Sequence, residues 1–134
     1  MIMQSISAVV YIILIACLLP YVFTVVAKVI GGFKGQDNLN PREFLSQTTG
    51  LAARADAVQK NSFESLPLFI AAILMAEYMV VNQYFIYKLG SMYIVLRIIY
   101  GICYLANWGK LRSVVWLLSM ACPILLLILV IRLN

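Results

Sequence analysis

The first thirty residues, MIMQSISAVVYIILIACLLPYVFTVVAKVI, carry no charge before Lys28 and no acidic residue at all. Their apolar run of about 25 residues is long enough to cross a hydrocarbon core of roughly 30 Å. In lipid, each backbone polar group must find its partner inside the protein, and a helix does this within one segment. This stretch lacks a basic leading region and a small-residue cleavage site, so it reads as an uncleaved span over residues 5–30. Pro20, near its middle, predicts a kink that neighbouring helices can tolerate in a membrane.

The same logic divides the rest of the chain. Residues 31–48, GGFKGQDNLNPREFLSQT, hold glycines, an Asn-Pro pair and mixed charges, the marks of a loop. After Pro41, Arg42 to Gln47 predicts a short helical turn. Residues 49–81 keep helical periodicity and as one helix would measure about 50 Å, longer than the bilayer core. Its polar first half should therefore project past the membrane or line a crevice. A turn at Asn82 and Gln83 leads to a third span over 84–107, and Trp108-Gly109-Lys110 joins it to a fourth over 111–133. The fold class expected for residues 1–134 is thus a single all-α integral membrane domain, a bundle of four transmembrane helices with both termini on one side. Lys28, Lys34, Arg42, Lys110 and Arg112 gather at the other side, so the positive-inside rule makes loops 31–48 and 108–112 cytoplasmic.

Composition excludes several functions. Hydrophobic residues make up 64% of the chain and charged ones 11%, against about a quarter charged in soluble proteins. The net charge of +5 suits membrane orientation and anionic headgroups. No basic surface interleaved with aromatics accompanies it, so no nucleic-acid partner is expected. The chain has no histidine, which removes the commonest general base and the commonest metal ligand. Cys17, Cys103 and Cys122 lie within apolar stretches at spacings that match no metal site. A small four-span drug exporter would rely on a carboxylate in its first span, and there is none.

Polarity concentrates at the start of the second span, RADAVQKNSFESLPLF, residues 54–69. At about 100° per residue, Arg54 and Asn61 point within about 20° of each other and Glu64 about 60° further round, one stripe on one face. Asp56 and Lys60 form an i,i+4 pair elsewhere. Glu64 leads directly into an apolar run, and an intramembrane carboxylate costs roughly 2.5–3.5 kcal/mol, so it needs a partner. The third span supplies a matching stripe, Arg97, Tyr100 and Tyr104 at helical spacing, continued by Trp108. Arg97 lies near mid-span, too far from either end to reach water easily, and is expected to meet Glu64 or a polar ligand. Two readings stay open: an ion pair that holds the bundle together, or a polar pocket for a ligand. Lys110, Arg112 and Ser113 begin the fourth span, where Arg112 either anchors the helix at the interface or reaches into the crevice to stabilise an anion. Glu77 and the tyrosines at 84, 87 and 93 are assigned no role.

These motifs resemble those of the membrane-associated proteins in eicosanoid and glutathione metabolism, a family that includes microsomal glutathione transferases. The resemblance covers roughly residues 5–133. It rests on Asn61-x-x-Glu64-x-x-Pro67-x-Phe69 with Arg54 seven residues before the asparagine, on Gln59, on Arg97-x-x-Tyr100-x-x-x-Tyr104, and on Arg112-Ser113. The resemblance implies a homotrimer in which glutathione, as co-substrate, binds between subunits on the cytosolic side. It assigns Arg54, Gln59, Asn61, Glu64, Arg97, Tyr100 and Tyr104 to that ligand and gives Arg112 or Ser113 the thiolate. The implied activity is a transferase or peroxidase acting on a lipophilic small molecule delivered by membrane lipids. Arginine suits the ligand's carboxylates and Glu64 its ammonium group. The chain departs from the family pattern at Ala57, where many members carry a second arginine. Gln59 also replaces a histidine found in some members, and the gap from Tyr104 to Arg112 differs by about one residue. The alternative is a non-catalytic protein of the same fold that binds lipid or a protein partner.

Overall fold

A computed structural model describes residues 2–133, with side chains from Ile6 onward. Met1 and Asn134, the ends of the expected domain and of its same-side termini, lie outside the described residues. The described residues form α1 (Ile2–Gly31), a short 3-10 turn (Gly35–Leu39), α2 (Pro41–Ser46), α3 (Gly50–Tyr78), α4 (Gln83–Leu105) and α5 (Gly109–Arg132).

Local chemistry sets these boundaries. Gly32, at φ +75°, closes α1: the Phe33 amide reaches back to the Lys28 carbonyl at 3.0 Å, the six-to-one bond of a left-handed helix stop. Lys28 then lies over the Phe33 ring at 4.6 Å. Pro41 occupies the first turn of α2, and the Asn40 side chain caps it by accepting from the Glu43 amide. The loop thus holds the expected helical turn. Asn107, at φ 61°, stops α4, with the Trp108 amide bonded to the Cys103 carbonyl at 2.9 Å. Asparagine tolerates this conformation better than most residues.

Among the described residues, three helices are long and apolar enough to cross a membrane: α1 over Ile6–Gly31, α4 and α5. α3, expected as a fourth span, falls short of that standard because its first half carries Arg54, Asp56, Lys60, Asn61 and Glu64. It nevertheless packs against α1, α4 and α5 alike. α4 likewise packs against the three other long helices, so the most polar long helix shares the centre of the bundle with α4 and its side chains face several neighbours at once.

Small residues let α3 approach closely, as is usual where helices pack in lipid. Ala52, Ala55, Ala72 and Ala76 are buried. In the half of the bundle away from the basic loops, Phe69 stacks on Tyr93 at 3.9 Å and 11°, among Ile12, Ile73, Ile86 and Leu126. The Tyr93 hydroxyl and Ser65 form a buried hydrogen bond of 2.8 Å. Nearer the loops, Phe23, Val58, Tyr100, Cys103 and Val115 form a second core. Phe23 lies against Gly101, where an added Cβ would come within 2.1 Å of its ring. All three cysteines are free. Val10, Leu14, Leu18 and Val25 of α1 and Val114, Leu117 and Leu118 of α5 are exposed, an outer surface suited to hydrocarbon.

Candidate functional site

The two polar stripes meet between the cores. Arg97, from the middle of α4, is 1% exposed. Its Nη2 donates to Asn61 Oδ1 at 2.7 Å and to Ser62 Oγ at 3.1 Å, both on α3. Its Nη1 donates to Ser119 Oγ on α5 at 3.5 Å. The guanidinium lies 4.2 Å from the centre of the Tyr100 ring. These neighbours are neutral, so the expected contact with Glu64 is not made. Glu64 sits on the exposed face of α3, turned away from the helix packing in which Arg97 is enclosed. Among the described residues it has no hydrogen bond or ion pair, and the one ion pair present is Lys60 with Asp56 at 2.7 Å, the i,i+4 pair anticipated.

Beside this cluster opens a recess of about 220 Å³ lined by Asn61, Tyr100, Tyr104, Arg112, Ser113 and Trp116. Five of these six are residues singled out in the sequence. Helical spacing brings them together: Tyr100 and Tyr104 are one turn apart on α4, as are Arg112 and Trp116 on α5. The tyrosine rings meet edge to face at 5.8 Å, and Arg112 lies over Tyr104 at 4.4 Å. Two adjacent rings, Tyr100 and Tyr104, thus lie between two cations, Arg97 and Arg112, each cation held by the quadrupole of its ring. Arg112 has no ion-pair partner among the described residues. The Ser113 hydroxyl donates to the Gly109 carbonyl at 3.1 Å.

Arg54 and Gln59 lie outside this recess. Arg54 Nε donates to the Leu105 carbonyl at 3.3 Å, a cation at the C-terminal end of α4 where the helix dipole favours it. Gln59 donates to Asp56 at 2.7 Å and its side-chain oxygen accepts from the Thr24 hydroxyl. It lines a second recess of about 460 Å³, together with Thr24, Lys28, Arg42, Asp56 and Lys60. Of the residues that the resemblance assigns to the tripeptide, Asn61, Tyr100 and Tyr104 line the first recess, Gln59 lines the second, and Arg54, Glu64 and Arg97 line neither.

Ser62, Trp116 and Ser119 were not anticipated. Ser119 is fully buried, donates to the Trp116 carbonyl at 2.8 Å and supports Arg97. The signal was present: Arg112, Trp116 and Ser119 stand four and three residues apart, one face of one helix. Hydroxyls in an apolar helix are read as background, because they can bond to their own backbone as Ser65 does.

A helix bundle with three membrane-crossing segments, a polar helix packed among them and a recess at its loop end that holds Arg112 is a multi-pass membrane protein. Residues 8–132 match the MAPEG family, whose field is glutathione and eicosanoid metabolism, and the chain belongs to it. No curated protein and no solved structure matches the chain.

Proposed function

We propose that this protein is a membrane-bound transferase or peroxidase that joins glutathione, or a similar thiol, to lipophilic electrophiles, or reduces lipid hydroperoxides with it, at the interface between subunits of a homotrimer. The observation that carries this reading is Arg112, which faces the recess beside Asn61, Tyr100 and Tyr104 with no counter-ion. A thiol placed there would lose its proton more readily than at its ordinary pKa of about 8.5, because the cation favours the thiolate. The thiol proton passes to water. The sulfur then forms a bond to the electrophilic carbon as halide leaves or an epoxide C–O bond breaks, and the alkoxide takes a proton from water. With a hydroperoxide, one thiolate attacks the outer oxygen and releases alcohol, and a second thiol displaces water from that sulfur to form a disulfide.

Two features support an inter-subunit site. A volume of about 220 Å³ lies below the roughly 300 Å³ at which ligand pockets begin, so a tripeptide needs a further wall. Gln59 lies in the other recess, with Lys28, Arg42 and Lys60. In a ring of identical subunits, head-to-tail contacts bring two different surfaces together at every interface. Such a ring would set the cations of one subunit opposite Arg112 of the next and give Glu64 a neighbour. The basic loops 31–48 and 108–112 would face the cytoplasm and admit the thiol, while the bilayer delivers the electrophile.

A second reading, a non-catalytic protein of this fold that binds lipid or a protein partner, draws on the thinner supply of carboxylate anchors. Ala57 stands where many members carry arginine, and Arg54 is engaged by Leu105. Calorimetry of glutathione on the full chain in nanodiscs, beside conjugation of a chlorodinitrobenzene, separates the two. Binding and turnover that fall together in Arg112→Ala support the first. No thiol bound at millimolar concentration, with a lipid retained in the recess by native mass spectrometry, supports the second.

A further inference from the structure

We infer that Arg97 is a positioning residue, which turns Asn61 into a hydrogen-bond donor facing the recess, so that the recess holds a carboxylate or carbonyl oxygen of the thiol ligand and not its ammonium group. This rests on the thiol-binding reading and says which end of the ligand enters.

A guanidinium carries donors only. The 2.7 Å bond from Arg97 Nη2 therefore fixes the oxygen of the Asn61 amide inward. The amide nitrogen, about 120° away across the same planar group, has no partner among the described residues and belongs to the side chain that lines the recess. Arg97 itself is not part of that lining. Its other contacts keep it in place: Ser62 and Ser119 offer lone pairs from α3 and α5, and Ser119 spends its own proton on the Trp116 carbonyl. The stacked Tyr100 ring completes the support. The recess is thus edged by the Asn61 amide N–H groups and the Arg112 guanidinium, both donors, beside the Tyr100, Tyr104 and Ser113 hydroxyls, which can donate or accept, and has no carboxylate among its lining residues. An ammonium group would meet a cation there and no negative charge. An oxygen acceptor would find its complement.

The test is a double-mutant cycle on the full chain in nanodiscs, with glutathione affinity measured by calorimetry and folding followed by thermal midpoint. Asn61→Ala should weaken binding on the order of tenfold, as expected for loss of a buried hydrogen bond to a charged group. Arg97→Met, which removes a buried cation that has no counter-ion and so need not unfold the chain, should weaken binding by a similar factor. The double variant should be no weaker than either single one. Arg97→Lys, which keeps a donor toward Asn61, should recover most of the affinity. Asn61→Asp keeps an acceptor for Arg97 but replaces the donor with a negative charge, so it should lose binding while its midpoint holds or rises. Losses that multiply in the double variant, or thiol binding retained in Asn61→Asp, would overturn the inference and leave the thiol reading standing. Absence of thiol binding in the parent chain would overturn both.

Discussion

Arg112 carries two separable properties, a charge and a flat face. The charge lies where a thiolate would form, and the face lies on Tyr104 at 4.4 Å. Lysine preserves the first and loses the second, because its ammonium is a compact point on a flexible stem. Arg112→Ala should therefore cut conjugation at pH 7 about tenfold or more. The deficit should shrink as pH rises toward the ordinary thiol pKa of about 8.5, since solution then supplies the thiolate that the cation no longer favours. Arg112→Lys should show the intermediate pH–rate profile, displaced less far upward. A profile that falls uniformly at every pH would assign Arg112 to binding alone. Arg97 stands apart from this logic. It is buried and faces only neutral oxygens, so its influence reaches the recess through Asn61 and Tyr100.

Between elements, the contact of α1 with α4 turns on one absent methyl group. Gly101 admits the Phe23 ring, and a Cβ there would meet it at 2.1 Å. Gly101→Ala should lower stability by about 1–3 kcal/mol through overpacking, seen as a lower thermal midpoint, and Phe23→Leu in the same chain should recover part of the loss. The stop of α3 offers the opposite case. The helix was anticipated to run to residue 81 because helical periodicity continues past Pro67, yet it ends at Tyr78 with Val80 at φ 56°. A β-branched residue is strained there, by roughly 1–2 kcal/mol, and Val80 is 82% exposed, so little packing would be lost on replacement. Val80→Gly should raise the midpoint. This turn shows where the sequence stopped being legible. Periodicity and apolar length disclosed the helices, helical spacing put Asn61 on one stripe and Tyr100 and Tyr104 on another, and the resemblance added Arg112 and Ser113. The wheel also placed Arg54, Asn61 and Glu64 on one stripe, but it cannot say which neighbour each one meets. α3 packs against three helices, so its stripe is divided among the end of α4, the recess and the outer surface. The partners of Arg97 were hidden for a related reason, since serines in apolar helices have a local use that masks a tertiary one.

At the scale of the whole molecule, the division of polar residues between two recesses makes a prediction that a self-contained subunit would not. If each site forms between the Arg112 surface of one subunit and the Gln59 surface of the next, a defect in either surface disables every interface of a uniform ring. Subunits with opposite defects can rescue one another. Arg112→Ala and a Lys28→Ala/Gln59→Ala double variant should each be poorly active alone. Mixed during synthesis in equal amounts, they should assemble rings in which roughly a quarter of interfaces pair two intact surfaces, by random assortment around a head-to-tail ring. Conjugation should return to about that share of the parent's rate, and mixing after assembly should restore none. The ring itself can be counted by native mass spectrometry of the same samples, which should give three subunits and mixed species in binomial proportion. If mixed rings form and activity stays at the level of the separate variants, each subunit holds its site alone; a Lys28→Ala/Gln59→Ala variant as active as the parent would show instead that the 460 Å³ recess around Gln59 has no part in the chemistry at Arg112.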